Sequence, residues 1–352
     1  MAACSGNDSS TVDDDSSDVS KSSCTPTAKR THPIELSVLP AAGESPFVDN
    51  IQRAGKSIYV MVYMMGQDGV YNALIDMHNK GKDVRVIMDG GNERKYNTPA
   101  YEGFQAAGVQ VEWSQPKFSF MHAKTFVVDN KFTVISTGNY PLDLIQSERN
   151  YVALDNDVDD AKTVQKIFLA DWNNTDPDIS CTRLVVSPVN SEDRINAEIK
   201  SAQHSLHIES LELADAGLIQ DIVAQKQAGR DVEVLLADPT WSKGSVNAQT
   251  AKTLQKAGIE VKWIPKSTML VHVKSILVDG KTAYMGSENL TSTSMEQNRE
   301  IGLIVTDAEP LATMEATFQK DFASAIDFGS TAKAAAADDT TGDDGDNDDG
   351  PN

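Results

Sequence analysis

The feature that most constrains this chain is that it contains itself twice. "GVQVEW" (108–113) returns as "GIEVKW" (258–263), "MHAKTFVVDNK" (121–131) as "VHVKSILVDGK" (271–281) and "FLADW" (168–172) as "FQKDF" (318–322), all 150 residues apart. Upstream, "SIYVMVYMM" (57–65) pairs with "SLHIESLEL" (205–213), and "DVRVIMD" (83–89) with "DVEVLLA" (231–237). Both of these pairs are 148 residues apart, so a two-residue insertion lies in between. Chance does not hold one offset across five segments. Self-similarity on this scale means one structural unit used twice, and the fold must be a pair of like units related by a pseudo-twofold.

Within each unit the pattern alternates. An amphipathic helix ("VDNIQRAG"; "RINAEIKSA") precedes a strand enriched in β-branched and aromatic residues. A second helix ("VYNALIDMHNKG"; "LIQDIVAQKQAG") stops at Gly81 or Gly229. A continuous apolar strand, a further helix, the strand of His122 or His272, another short strand and a last helix complete the unit. Strands alternating with helices predict an α/β fold with a mostly buried sheet. The repeats are expected over 35–178 and 179–328. The flanks, 1–34 and 329–352, are too polar to bury apolar surface and are expected to be a disordered tether and a disordered Asp-rich tail.

Charge narrows the partners. The formal net charge is −21, of which residues 1–24 carry −4 and residues 331–352 carry −6, leaving about −11 on the body. Nucleic-acid binding usually rests on Lys and Arg neutralising phosphates, so an acidic body makes duplex DNA or RNA an unlikely partner. Hydrophobic residues make up 40% of the chain, enough for a proper core. No apolar run reaches the ~18–20 residues of a membrane span, and a monomer is expected.

The three cysteines are Cys4, Cys24 and Cys181. With no CxxC and no Cys/His cluster, a zinc site is not expected. "MAACSGNDSS" resembles the processing site of a bacterial lipoprotein without its hydrophobic leader. On that reading Cys4 is lipidated and tethers the chain to a membrane, at the cell envelope or after secretion; the alternative is a tail with a chance cysteine. Cys24 and Cys181 precede the two repeats and are then left as a candidate disulfide, suited to an oxidising compartment.

The duplicated segments also carry chemistry. In a strand, residues i and i+2 share a face, so His122 points with Lys124 and His272 with Lys274. Asp129 and Asp279 fall on the opposite parity, in the following turn. "STGN" places Asn139 and "GSEN" places Asn289, while "ERN" (148–150) is matched by "NRE" (298–300). The twofold gathers two His, two Lys and two Asn at one central interface. Two lysines and two amides suit the non-bridging oxygens of a phosphate. Two opposed histidines suit in-line displacement, one attacking phosphorus and one protonating the leaving oxygen.

These two His-x-Lys-x4-Asp motifs, each followed by a small-residue–Asn segment, resemble the phospholipase D superfamily. Its two-motif bacterial members include phospholipases D and cardiolipin-synthase-like transferases. The resemblance covers about residues 36–326. It implies a phospholipase D-type hydrolase acting on phospholipid headgroups, with transfer to alcohols as a second outcome, and with no cofactor and no metal. His122 would attack to give a phosphohistidine; His272 would protonate the leaving alcohol and then activate the acceptor. Lys124, Lys274, Asn139 and Asn289 would hold the phosphate, with Asp129 and Asp279 as structural anchors. Family members often place a carboxylate 28 residues after each histidine to orient its ring. Glu300 fills that place for His272; Asn150 fills it for His122, with Glu148 two residues earlier. On that reading the amide lies on the His122 side, as in members resembling tyrosyl-DNA phosphodiesterase, and favours His122 as nucleophile. The alternatives are a nuclease of the same superfamily and a non-catalytic module with a relic site. "KFSFM" and "STML", before the two histidines, either touch an acyl chain or support the strand. Trp241, in a loop, is a candidate substrate contact.

Overall fold

A computed structural model describes residues 29–179 and 181–328. Cys4, Cys24 and the two flanks expected to be disordered therefore lie wholly or largely outside the described residues. Cys181 is disulfide-bonded, and its partner also lies outside them.

The first repeat runs β1 (Glu35–Leu39), α1 (Ser45–Gln52), β2 (Ser57–Val62), α2 (Gly69–Asn79), β3 (Asp83–Met88), α3 (Arg94–Ala106), β4 (Gln110–Trp113), β5 (Lys124–Val128), β6 (Phe132–Ser136), α4 (Leu142–Ser147), β7 (Glu148–Asp155) and α5 (Val158–Trp172). The second runs β8 (Val185–Ser187), α6 (Ser191–Lys200), β9 (Ser205–Ser210), α7 (Ala216–Gln227), β10 (Asp231–Ala237), α8 (Asn247–Lys256), β11 (Glu260–Ile264), β12 (Leu270–Val271), β13 (Lys274–Val278), β14 (Thr282–Gly286), α9 (Ser292–Glu296), β15 (Glu300–Val305), α10 (Ala308–Ser324) and β16 (Ile326–Asp327). None of the described helices is long and apolar enough to cross a membrane.

Each repeat builds one mixed sheet. The first is ordered β1-β7-β6-β5-β2-β3-β4, and the second β16-β11-β10-β9-β13-β14-β15-β8. The three strands joined by helical crossovers, β2-β3-β4 and β9-β10-β11, are parallel, as crossovers require. The strands after each histidine, β5 and β13, instead turn back antiparallel against β2 and β9. Gly81 and Gly229 stop α2 and α7 at φ +80° and +83°, as the sequence predicts.

The core follows from the pleat. β2 alternates between two apolar clusters: Ile58, Val60 and Val62 pack outward under α1, α2 and α3, while Tyr59 and Met61 face inward. The inward cluster is shared by both repeats, joining Met61, Val127, Ile135 and Tyr151 to Val273, Leu277, Met285 and Ile301. Phe168 of α5 and Met314 of α10 complete it. The two sheets thus face one another across a common apolar layer, with each repeat keeping its own outer helices.

Two arginines lock that layer. Arg149 of β7 meets Asp321 of α10 at 2.5 Å, and Arg299 of β15 meets Asp171 of α5 at 2.7 Å. Each pair is buried, and each joins one repeat to the other. The guanidinium groups also donate to the carbonyls of Leu39 and Ser187, at 2.5 and 2.8 Å.

Candidate active site

The site lies where the repeats exchange short strand contacts. β12 pairs in parallel with the start of β7, Leu270 opposite Glu148 and Val271 opposite Arg149. Met121 makes the matching bridge to Arg299. The backbone then continues the exchange: His122 N donates to Arg299 O at 3.0 Å, and His272 N to Arg149 O at 3.1 Å. Each histidine is therefore laid beside the Glu/Asn segment of the opposite repeat.

This geometry corrects the orienting partners expected from spacing. Glu300 does not serve His272; its Oε2 lies 2.8 Å from His122 Nδ1. Asn150 does not serve His122; its Oδ1 lies 3.2 Å from His272 Nδ1, and Glu148 Oε2 stands behind at 3.5 Å from the same nitrogen. The 28-residue spacing is real, but docking on the opposite repeat crosses the pairs. The amide thus lies on the His272 side, which removes the spacing argument for His122 as nucleophile.

Asn150 is fixed in orientation. Its Nδ2 donates to Glu148 Oε2 at 3.0 Å, and its Oδ1 accepts from Thr137 Oγ1 at 2.8 Å. The oxygen therefore faces His272. Glu300 is held as an acceptor by Ser294 Oγ at 2.5 Å and Asn298 Nδ2 at 3.0 Å. The swapped order of "ERN" and "NRE" gives one ring a carboxylate and the other an amide backed by a carboxylate.

His122, Lys124, His272 and Lys274 are all buried. Burial drives the His122 pKa down to about 4; Glu300 opposes the shift and Lys124 adds to it. His272 is also held well below its ordinary value, by burial and then by Lys274, Lys124 and His122. The four side chains lie within electrostatic reach of one another, and His122, His272 and Lys274 each contact the opposite repeat, at Glu300, Asn150 and Thr137. Burial also lowers both lysines, countered by Glu300 at Lys124 and chiefly by Glu148 at Lys274. At Glu300 burial acts to raise the pKa, but His122, Lys124 and Ser294 bring it below its ordinary value. An ionised Glu300 at this position accepts Nδ1–H from the ring, and a neutral His122 then keeps its lone pair on Nε2.

Lys124 Nζ donates to His122 O at 2.5 Å, and Lys274 Nζ to His272 O at 2.7 Å and Thr137 O at 3.1 Å. The Lys124 ammonium lies 4.9 Å from the centre of the Tyr63 ring, which also meets His122 edge-on at 4.5 Å. Asn139 and Asn289 each have a buried Oδ1 without a hydrogen-bond partner. Unsatisfied buried amide oxygens are costly.

Asp129 and Asp279 lie away from this chemistry. Asp129 accepts from the backbone N–H groups of Gly55, Lys56 and Ser57 at 2.7–2.9 Å. Asp279 does the same for Gln203, His204 and Ser205. Phe118 lies under the Arg299 guanidinium at 4.3 Å, and Met269 and Leu270 pack with Trp241 at a small apolar cluster. Phe118 and Leu270 thus reach the opposite repeat, Phe118 at Arg299 and Leu270 opposite Glu148, while Met269 packs within its own repeat. Among the described residues, no group of three or more His, Cys, Asp or Glu could hold a metal ion.

Sequence reasoning missed the Arg149–Asp321 and Arg299–Asp171 pairs. Their signal was present, since the arginine is central in "ERN" and "NRE" and the aspartate is shared by "FLADW" and "FQKDF".

The family described as "Cardiolipin synthase, PLD-like domain" matches twice, over residues 47–172 and 195–322. The chain is 24% identical over 326 residues to a probable cardiolipin synthase of Bacillus subtilis, covering 79% of this chain and 64% of that one. It is 23% identical over 318 residues to a cardiolipin synthase of Oceanobacillus iheyensis, covering 78% and 65%. The chain thus spans just under two thirds of the length of these relatives. Among solved structures, the phosphatidylserine synthase of Haemophilus influenzae shares the fold with a TM-score of 0.62 at 14% identity, over 85% of this chain and 88% of that one. With the family matched once in each repeat and its two histidine motifs meeting at one buried site, the chain belongs to the phospholipase D-like family.

Proposed function

We propose that this protein transfers phosphatidyl groups between alcohols, or to water, through a phosphohistidine on His122. One observation carries this reading: the His122 ring, fixed through Nδ1 on Glu300, shares a buried site with His272 and two lysines. A neutral ring with its proton held on Nδ1 offers Nε2 as the nucleophile. Nε2 forms the bond to phosphorus as the bond to the leaving alcohol oxygen breaks. The positive charge that develops on the ring is balanced by Glu300, and the negative charge on the phosphate oxygens by Lys124 and Lys274.

His272 supplies the proton. Burial first, and then two lysines and a second imidazole, depress its pKa in the free protein; a phosphate anion among them opposes the field of those cations and favours the imidazolium. After protonating the leaving oxygen, neutral His272 accepts a proton from the incoming water or alcohol, which attacks phosphorus and restores His122. Water gives hydrolysis and an alcohol gives phosphatidyl transfer. The cardiolipin synthases among the relatives support the transfer branch. The body's acidic charge speaks against a polyanionic substrate.

The test is a panel of short-chain phosphatidyl substrates and supercoiled plasmid, in EDTA, with and without a primary alcohol. Headgroup release is expected, with phosphatidyl alcohol formed when acceptor is present. His122→Ala and His272→Ala should each lower kcat by ~10³-fold or more. Cleavage of plasmid but not lipid would replace this reading with a nuclease. Full activity in either variant would end the two-histidine mechanism.

A further inference from the structure

The two halves of the site differ at one repeat-matched position of their rims. β2 and β9 superimpose at an offset of 148 residues, and their hydrogen bonds confirm the match beyond the strand ends. Asn97 Nδ2 donates to Tyr63 O at 2.7 Å and Asp89 O at 3.2 Å, while its Oδ1 accepts from Met65 N at 3.0 Å. Asn247 repeats the pattern on Leu211 O, Ala237 O and Leu213 N. Met64 and Glu212, between these anchors, therefore occupy the same place in the two repeats.

Met64 lies at the site, its Sδ 3.4 Å from Asn139 Nδ2. Glu212 stands correspondingly at Asn289: its carbonyl accepts from Leu290 N, the next residue, at 3.1 Å. The Glu212 side chain is half-buried. Its carboxylate makes none of the described hydrogen bonds, although Lys274 lies within electrostatic reach. Burial raises its pKa and Lys274 opposes that. At the first-repeat rim the matched position is the Met64 thioether, beside Tyr63 and Phe120, with Glu93 accepting from the far end of Tyr63, its hydroxyl, at 3.3 Å. The second-repeat rim carries a carboxylate in place of the thioether.

A carboxylate beside a phosphate site opposes the phosphate unless the substrate brings donors to it. We propose that Glu212 is a specificity-determining residue that selects phosphodiesters whose alcohol, on the His272 side, carries O–H or N–H donors. This inference rests on the phosphatidyl-transfer reading above. The chemistry fits a polyol or a primary ammonium headgroup, both of which can hydrogen-bond the half-buried carboxylate. A quaternary ammonium is attracted by the charge but cannot donate, so it leaves the carboxylate's acceptor positions unfilled.

The experiment compares kcat/KM for short-chain phosphatidylglycerol, phosphatidylethanolamine and phosphatidylcholine, with bis(p-nitrophenyl) phosphate as a phosphodiester lacking donors. Wild-type protein is expected to prefer glycerol and ethanolamine headgroups over choline. Glu212→Met, which copies the first repeat, should shrink that preference by tenfold or more. Glu212→Gln should shrink the ethanolamine preference more than the glycerol preference, since it keeps hydrogen-bonding oxygen but loses charge. Thermal melting identifies any variant that misfolds, and the second variant keeps the test open if the first does. An unchanged ratio in folded variants, or a wild-type preference for choline, overturns the inference while leaving phosphodiesterase activity standing. Failure of wild-type protein to cleave any of the four substrates overturns the underlying reading, and this inference with it.

Discussion

At the scale of single residues, the site separates two imidazoles that look alike in sequence. Both follow the same strand logic and precede the same lysine. What distinguishes them is the atom facing Nδ1, a Glu300 oxygen for His122 and an Asn150 oxygen for His272. A carboxylate fixes the tautomer and stabilises a charged ring more than an amide does. With its pKa near 4, His122 should remain neutral at pH 6, where an exposed histidine is largely protonated. NMR of ring-labelled histidine should show it as the Nδ1–H tautomer at that pH; a charged ring would contradict the assignment. Glu300→Gln should lower kcat by ~10²-fold or more, with a smaller effect on KM, because the lost interaction strengthens as the ring becomes charged.

At the scale of elements, the sequence made the repeat unit, the helix stops at Gly81 and Gly229 and the end of each histidine strand legible. Asp129 and Asp279 show why: each sits in the turn after its strand, so its role depends on local spacing. Each gathers three backbone N–H groups from the start of β2 or β9. Asp129→Ala and Asp279→Ala should each lower stability by about 1–2 kcal/mol in urea unfolding. Activity per folded molecule should persist. Burial acts to raise these two pKa values, but the backbone donors hold both below the ordinary value. The contribution is therefore fully present above the ordinary carboxylate pKa and is lost as pH falls through the folded value, so variant and wild type should converge below about pH 4. Illegible from spacing was the partner of each ring, because it depends on which repeat each pre-histidine segment docks against. Phe120 O accepting from Arg299 N at 2.9 Å is a contact between residues 179 apart in the chain. No periodicity records such a contact.

At the scale of the molecule, the repeats share one apolar layer and two buried ion pairs. Arg299→Leu strands Asp171 in the interior and should cost about 3–5 kcal/mol, whereas Arg299→Leu with Asp171→Leu should cost less. Single and double variants compared in urea unfolding test this, and one cooperative transition for both repeats is expected, since neither has a private inner face. The crossed pairing carries a further consequence. Because His122 leans on Glu300 and His272 on Asn150, neither repeat carries a ring and its orienting partner by itself, and each finishes the other. Joined in one chain, the two copies are free to differ. "ERN" and "NRE" now set acid and amide on opposite sides of a common arginine, and the rims carry Met64 and Glu212. A symmetric dimer can change its centre only in duplicate. This chain can tune attack, protonation and substrate choice one substitution at a time.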